Sequence, residues 1–510
     1  MLRALVLVPV AILVYELVRA LVLRRSRAAL RARARRYAEV HGVRVDLFKF
    51  GGKLLVREEL LNDRVLVNAM TGAVNAGERA TEVRERVEEY IDEIVPAFSL
   101  TAYFEVGMKL ARAAIGAVYK PIIDQESLRR VAALPEDATA VFLINHRSNF
   151  DYLVVGWALA RQVAISYAVG EWARVFPLDV LFKAFGGFFV RRGFPDPLYH
   201  TVLRRYLQLI TRRGVTQGIF PEGGLTRDGG LRTPKVGLLD ALLQLSAEPD
   251  YQRELYFVPV GINYDRVLED ESLLAEKRGR EHPPSPAEKL RGALRLLWVV
   301  PARVLVNLLR VATGRLQQHG YVAVAFGEPV RWKSMAQERK IAVEHLSDEE
   351  RRVVAKQVAG ELMERIKLVI PATPVPLVAR AVLELGGEPT ESEVAERVRE
   401  VRARLDALGV PTALGREFDP SRSAREAITD DENRNRDLAR LEGEVLASEE
   451  AEQIVRIGLL RLARRQAVQV AGGKVLPGRH AHARELLEYY SRSLSALDEV
   501  PAPGAVSQAG

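Results

Sequence analysis

The sequence predicts an α/β fold: a mixed sheet flanked by helices, with further helical regions before and after it. Two observations carry this. From about residue 140 to 326, short apolar runs bounded by Gly, Pro and charged turns alternate with helical patterns, as in strands joined by packed helices. On either side the texture changes to Glu/Arg/Ala/Leu-rich stretches with helical spacing. A chain of 510 residues, 48% apolar and 27% charged, can bury a large core and divide into more than one unit. The expected units are 1–25, a membrane anchor or interfacial helix; 26–135, mainly helical; 136–372, carrying the sheet; and 373–510, a C-terminal helical domain.

Taken in order, Ala4–Tyr15 is uninterruptedly apolar, and Leu17–Leu23 is apolar except for Arg19. Together they reach the ~20 residues that cross a bilayer as a helix. Glu16 and Arg19 share a helix face and can pair. No small-residue cleavage site is evident, so the segment is expected to be retained. Arg24, Arg25, Arg27, Arg31, Arg33, Arg35 and Arg36 follow, against Arg3 alone in front, which puts the body of the protein in the cytoplasm. A spanning anchor, an amphipathic surface helix and an ordinary buried first helix all fit the pattern.

Residues 24–100 read as mainly helical, with a short hairpin expected over Phe50–Glu59 at a Gly-Gly turn, and Lys109–Arg130 reads as a helix. Strands are expected at Ala140–Ile144, Val163–Val169, Gly187–Val190, Val215–Phe220, Tyr256–Val260 and Tyr321–Phe326. Helices are expected between them at Asp151–Arg161, Pro197–Thr211 and Leu238–Leu245. Asp270–Ala287, charged and proline-rich, reads as an exposed insertion. In Lys289–Arg315, Leu, Trp and Val alternate with arginines; such a stretch lies on anionic lipid or forms an ordinary helix with a solvated basic face. A proline-rich run at 371–376 marks the boundary to the last unit, whose end, Val500–Gly510, is expected to fray.

Composition narrows the chemistry. With no cysteine, thiolate nucleophiles, disulfides, zinc–thiolate sites and iron–sulfur clusters are excluded within this chain. A net charge of +8 suits nucleic acid, anionic lipid or a phosphorylated substrate. No nucleic-acid-binding signature accompanies it and aromatic content is 7%, so nucleic acid is set aside.

The chemically richest stretch is Phe142–Tyr152, where His146 and Asp151 follow an apolar β-type run. Residues five apart lie ~140° apart around a continuous helix. A turn between strand and helix is therefore needed to bring them together, and Arg147-Ser-Asn149 supplies turn-compatible residues. His146 can then accept a proton from a substrate hydroxyl while Asp151 holds the imidazole. Three clusters follow. Gly186–Arg192 ends a short strand on Arg191 and Arg192, suited to a phosphate. Phe220–Gly230 holds Glu222, Gly223, Thr226 and Arg227, with Lys235 just beyond; its glycines allow close backbone approach to an anion. Phe257–Arg266 is a strand with Pro259 inside it, a feature of edges and bulges able to shape a cleft wall.

In that order the four clusters resemble the motif blocks of the glycerolipid acyltransferase superfamily. Val169-Gly-Glu171, Leu198-Tyr199, Arg205-Tyr206, Pro234-Lys235, Tyr264–Glu269 and Phe326–Pro329 are similar to the glycerol-3-phosphate and dihydroxyacetone-phosphate O-acyltransferase branch. The resemblance covers about residues 100–375 and extends weakly into Ala372–Leu377. It implies the acyltransferase fold around a mixed sheet, and His146 as general base with Asp151 as its partner. Arg191 or Arg192 would bind the acceptor phosphate, Glu222 and Gly223 would hold the acceptor, and Pro259 matches the fourth block.

The same resemblance implies the reaction. A fatty acyl group passes from acyl-CoA or acyl carrier protein to the sn-1 hydroxyl of glycerol 3-phosphate, at the cytoplasmic face of the inner membrane. No metal, cofactor or covalent acyl-enzyme is expected. One departure stands out: Leu225 occupies the place of the family's first third-block arginine, while Thr226 and Arg227 keep the hydroxyl and the second arginine. Losing a charge-assisted hydrogen bond of about 1.5–3 kcal/mol weakens phosphate recognition unless Arg227, Arg192 or Lys235 compensates. Dihydroxyacetone phosphate, a lysophospholipid or another acceptor is therefore the alternative. A catalytically silent membrane scaffold is the reading from a different class, and it is disfavoured by the presence of both His146 and Asp151.

Overall fold

A computed structural model describes residues 52–96, 107–170 (without 136, 161 and 164), 183, 186–281 (without 192), 319–414 and 450–498. The expectations for 1–25, for the arginine-rich flank, for Lys289–Arg315 and for Val500–Gly510 fall outside the described residues.

Three helices open this region: α1 (Gly52–Leu61), α2 (Arg64–Asn75) and α3 (Ala80–Ile94). The hairpin expected over Phe50–Glu59 is instead part of α1 where it is described: Val56 and Leu60, four apart, both point into the core, which is helical spacing. Asp63 caps α2 by accepting from Val65 N and Leu66 N, and Arg205 grips the same carboxylate at 2.7 Å. The single helix expected over Lys109–Arg130 is in fact α4 (Met108–Val118), β1 (Lys120–Ile123) and α5 (Gln125–Ala132). Pro121 lies in β1, an edge strand, where a missing N–H is tolerated, and Asp124 caps α5.

The chain continues through β2 (Ala138–Ile144), α6 (Asp151–Leu159), β3 (Ser166–Gly170), β4 (Phe188–Val190), α7 (Pro197–Arg212), β5 (Gln217–Ile219), α8 (Gly237–Ser246) and β6 (Glu254–Tyr264). Next come α9 (Asp270–Glu281), β7 (Tyr321–Phe326), β8 (Val330–Arg331), α10 (Trp332–Glu338) and α11 (Asp348–Val369). The sheet order is β1-β7-β6-β2-β5-β3-β4, with β8 also paired to β6. The five strands from β6 to β4 are parallel, β7 and β8 run antiparallel to β6, and β1 is parallel to β7. The sheet is thus mixed, as expected. β1 joins it from the N-terminal side of residue 136.

Both faces of the sheet are covered, which is why β2 is buried throughout and apolar but for Thr139 rather than alternating. Phe142 and Ile144 pack with α6 residues and the C-terminal helices, while Val141 and Leu143 face α7, α8 and α11. β6 is longer than expected because Gly261–Tyr264 goes on pairing with β7. Pro259 sits where the outer partner of β6 changes from β8 at Phe257 to β7 at Val260, so its missing N–H interrupts no ladder there. The exposed insertion expected from Asp270 is in its described part the helix α9, and Asp270 is buried against Arg465 at 2.5 Å. The C-terminal unit comprises α12 (Pro374–Leu385), α13 (Glu391–Ala407), α14 (Glu450–Arg464), the hairpin β9 (Val468–Ala471) and β10 (Lys474–Pro477), and α15 (Ala483–Ser491).

Candidate active site

The carboxyl ends of parallel strands leave a crevice where ligands bind, and β2 ends there at Ile144. Asn145 then anchors the chain to β6: its Nδ2 donates to Ile262 O at 3.0 Å and its Oδ1 accepts from Ile262 N at 2.7 Å. That fixed point lets the backbone turn at 146–150 and enter α6 with Asp151 as its first residue. An acidic side chain is favoured in the first turn of a helix.

Asp151, fully buried, is surrounded by donors. Its Oδ2 accepts from Arg147 N at 2.7 Å and Ser148 N at 3.0 Å and lies 2.9 Å from His146 Nδ1. Its Oδ1 accepts from the Tyr264 hydroxyl at 2.6 Å. Burial pushes the Tyr264 hydroxyl well above the usual phenol range, with the Asp151 charge adding to it, so tyrosine stays a donor. With the Asp151 carboxylate at Nδ1, the imidazole offers Nε2, which has no partner among the described residues. Phe220 lies against the His146 ring at 4.2 Å between centroids and Tyr152 meets it edge-on at 5.5 Å, which fixes the ring plane.

Glu222 ties the third block to this turn. Its Oε1 accepts from His146 N at 2.8 Å and its Oε2 from Arg232 N at 3.0 Å. Burial pushes the Glu222 carboxyl up to about 7, against the opposing pull of those two backbone donors. Thr226 N closes the loop onto His146 O at 3.1 Å. The Thr226 hydroxyl donates to Gly230 O at 2.6 Å, inside its own loop. Gly223 has φ +63°, and a Cβ there would stand 2.9 Å from the Lys235 side chain. Lys235, exposed, lines a shallow apolar cleft with Leu143, Pro221 and Met363.

The other expected binding residues are committed elsewhere. Strand register puts His146, Glu222 and Arg191 in one row along the sheet edge. Three strand spacings of ~4.8 Å nonetheless separate β2 from β4, roughly 14 Å. Arg191 Nε donates to Glu93 Oε1 at 2.8 Å, and its guanidinium lies over Phe194 at 4.5 Å. The bond to Glu93 raises its pKa further. Arg227 pairs with Glu276 at 2.6 Å, and Leu225 packs against the core. Pro259 is register partner to Leu143, three residues back from His146 along β2. Arg192 lies outside the described residues.

Sequence reasoning gave no role to Tyr264, Arg147 or the pair Ser148–Glu269. Ser148 Oγ donates to Glu269 Oε2 at 2.7 Å and Asn149 N to Oε1 at 3.1 Å, pinning the turn from outside. Arg147, nearly fully buried, donates to Gly229 O at 2.6 Å and lies 5.2 Å from the centre of the Tyr489 ring on α15. The C-terminal unit therefore reaches the turn that carries His146. The only signal was the run Tyr264–Glu269, noticed as a resemblance and not as chemistry.

Residues 125–263 match the family model described as Acyltransferase, and residues 305–494 match that described as Glycerol-3-phosphate acyltransferase C-terminal region. These two matches make the chain similar to the glycerol-3-phosphate acyltransferases. It is 29% identical over 367 residues to the glycerol-3-phosphate acyltransferase of Aeromonas hydrophila, covering 68% of this chain and 42% of that one. It is 28% identical over 305 residues to the glycerol-3-phosphate acyltransferase of Alteromonas mediterranea, covering 58% of this chain and 34% of that one. The chain thus spans less than half the length of these relatives. A crystal structure of the 1-acyl-sn-glycerophosphate acyltransferase of Thermotoga maritima matches 61% of this chain and 97% of that one at 15% identity and TM-score 0.27, a likeness on which nothing here depends. The wiring of His146 comes from the geometry above and not from these matches.

Proposed function

We propose that the chain transfers a fatty acyl group from acyl-CoA or acyl carrier protein to the sn-1 hydroxyl of glycerol 3-phosphate, at the cytoplasmic face of the inner membrane. The names of its relatives support the acceptor. The observation that carries the chemistry is His146, bonded through Nδ1 to a carboxylate held by three further donors, with Nε2 free among the described residues. In this reading Nε2 takes the hydroxyl proton as that oxygen attacks the thioester carbonyl. The C–O bond forms, the C–S bond breaks, and the proton passes on to the departing thiolate. Asp151 stabilises the transient imidazolium, and no acyl-enzyme forms. Membrane attachment rests on the apolar run Ala4–Leu23 and the arginines behind it. No helix among the described residues is long and apolar enough to cross a membrane.

A second acceptor is favoured by one set of observations: Leu225 packs on the core, and Arg191 and Arg227 are held by Glu93 and Glu276. A lysophospholipid or another acceptor less dependent on such cations would then be the natural one, whereas dihydroxyacetone phosphate carries the same phosphate as glycerol 3-phosphate. Purified full-length chain with labelled oleoyl-CoA and a panel of acceptors separates the readings. Turnover fastest with glycerol 3-phosphate supports the first; turnover only with another acceptor overturns it. A large fall in KM for glycerol 3-phosphate in Leu225→Arg would favour the second.

A further inference from the structure

Where the sheet meets the C-terminal helices lies a small, partly open cavity of about 100 Å³. Arg266 and His319 line it from the sheet side and Arg461, Arg464 and Arg465 from the end of α14, with Asp265 beside them. Cations at a helix C-terminus are ordinary when they face water. Here Arg266, Arg461 and Arg465 are half-buried around a partly open space, the exposed Arg464 stands at its rim, and carboxylates do not match them all.

The pairing can be followed residue by residue. Asp265 contacts Arg461, while its two oxygens also accept from Val375 N at 3.0 Å and Tyr321 N at 2.9 Å. Arg465 takes Asp270 at 2.5 Å and Glu271 at 3.0 Å. Arg266 and Arg464 have no carboxylate partner among the described residues, and Arg266 Nε is buried without a hydrogen bond. Burial first, and then the like charge of Arg464, work against the Arg461 cation, while Asp265 holds it. The site makes room for the charge: Gly320, at φ +98°, leaves space where a Cβ would stand 2.7 Å from the Arg461 guanidinium.

We infer that this cavity binds a phosphate-bearing anion. Two unmatched guanidiniums fit a doubly charged, multidentate group; a monocarboxylate would leave one of them uncompensated. The site adjoins the catalytic wiring, because Asp265 and Arg266 directly follow Tyr264, whose hydroxyl donates to Asp151. Free phosphate or pyrophosphate, the phosphates of a nucleotide-bearing thioester donor and an anionic lipid headgroup share this chemistry. The inference stands apart from the acyl-transfer reading, since its test reads binding and not turnover.

The test is calorimetric titration of the full-length chain with pyrophosphate and with coenzyme A, and flotation with phosphatidylglycerol vesicles. Each is done for the parent and for Arg266→Gln/Arg464→Gln. The parent is expected to bind at least one probe saturably, and the double variant at least tenfold more weakly. Its melting temperature without ligand is expected to be unchanged or higher, because like charges have been removed. Arg464→Gln alone, at an exposed position, is expected to weaken binding about threefold and keeps the test open if the double variant misfolds. A loss confined to coenzyme A, to vesicles or to pyrophosphate identifies the source of the phosphate and supports the site. Parent-like binding of every probe by both variants, or no binding of any probe by the parent, overturns it.

Discussion

The turn after β2 and the turn after β4 stand at the same level of one sheet edge, yet their charged residues are employed oppositely. At the first, backbone and side-chain donors converge on Asp151 and leave the far nitrogen of His146 free among the described residues. At the second, Glu93 and the aromatic faces of Phe194, Tyr90 and Tyr199 enclose Arg191. On the proposed reading one turn is arranged around a group that reacts, while the other is arranged around a group that holds α3 to β4. The comparison teaches that the His146–Asp151 arrangement is fully wired by the fold, while the cations expected to recognise the acceptor are held by carboxylates.

The strongest way to break this contrast is to remove the charge that orients His146. Asp151→Asn keeps the shape but removes the negative charge and can favour the wrong imidazole tautomer. Acyl-transfer kcat is expected to fall by roughly 10²–10⁴; a kcat within threefold of the parent would show that Asp151 is only structural. A smaller effect is expected from Tyr264→Phe, which deletes one donor to Asp151 and leaves three. Such a bond contributes about 1.5–3 kcal/mol, so kcat should fall by roughly 10- to 100-fold with KM for both substrates little changed. An equal rise in KM instead would mean that Tyr264 shapes the acceptor's place.

The smallest effect concerns stability and pH. Burial raises the Glu222 carboxyl from 4.5 to about 7, so between those values the folded chain holds a proton that the unfolded chain has released. Stability contributed by this group is full below about 4.5 and is lost as pH rises through about 7. Burial shifts Glu269 in the same direction. Denaturant titrations from pH 5 to 8 should show a decline that is shallower in Glu222→Gln, by at most ~3 kcal/mol across the window. Parallel curves for the two proteins would remove Glu222 as a titrating group.

The sequence made much of this legible. Apolar runs and turns located the six expected strands, because a sheet covered on both faces must be built from such runs. The distance from His146 to Asp151 could be read because both belong to one strand-turn-helix unit. Tyr264 could not be placed beside Asp151, since only the parallel pairing of β2 with β6 brings residues 113 apart in the chain together. Arg191 looked free because nothing local announces Glu93, 98 residues upstream. The Gly-Gly at 51–52 suggested a hairpin, whereas the burial of Val56 and Leu60 follows a helical period. Long-range pairing decided what local chemistry left open.

The central claim is that His146 is the base, and one rate tests it. The chain carrying His146→Ala, verified as folded by its melting temperature, is assayed for transfer from labelled oleoyl-CoA at saturating acceptor. The account predicts a fall of roughly 10³-fold or more. Transfer at near the parental rate would contradict it.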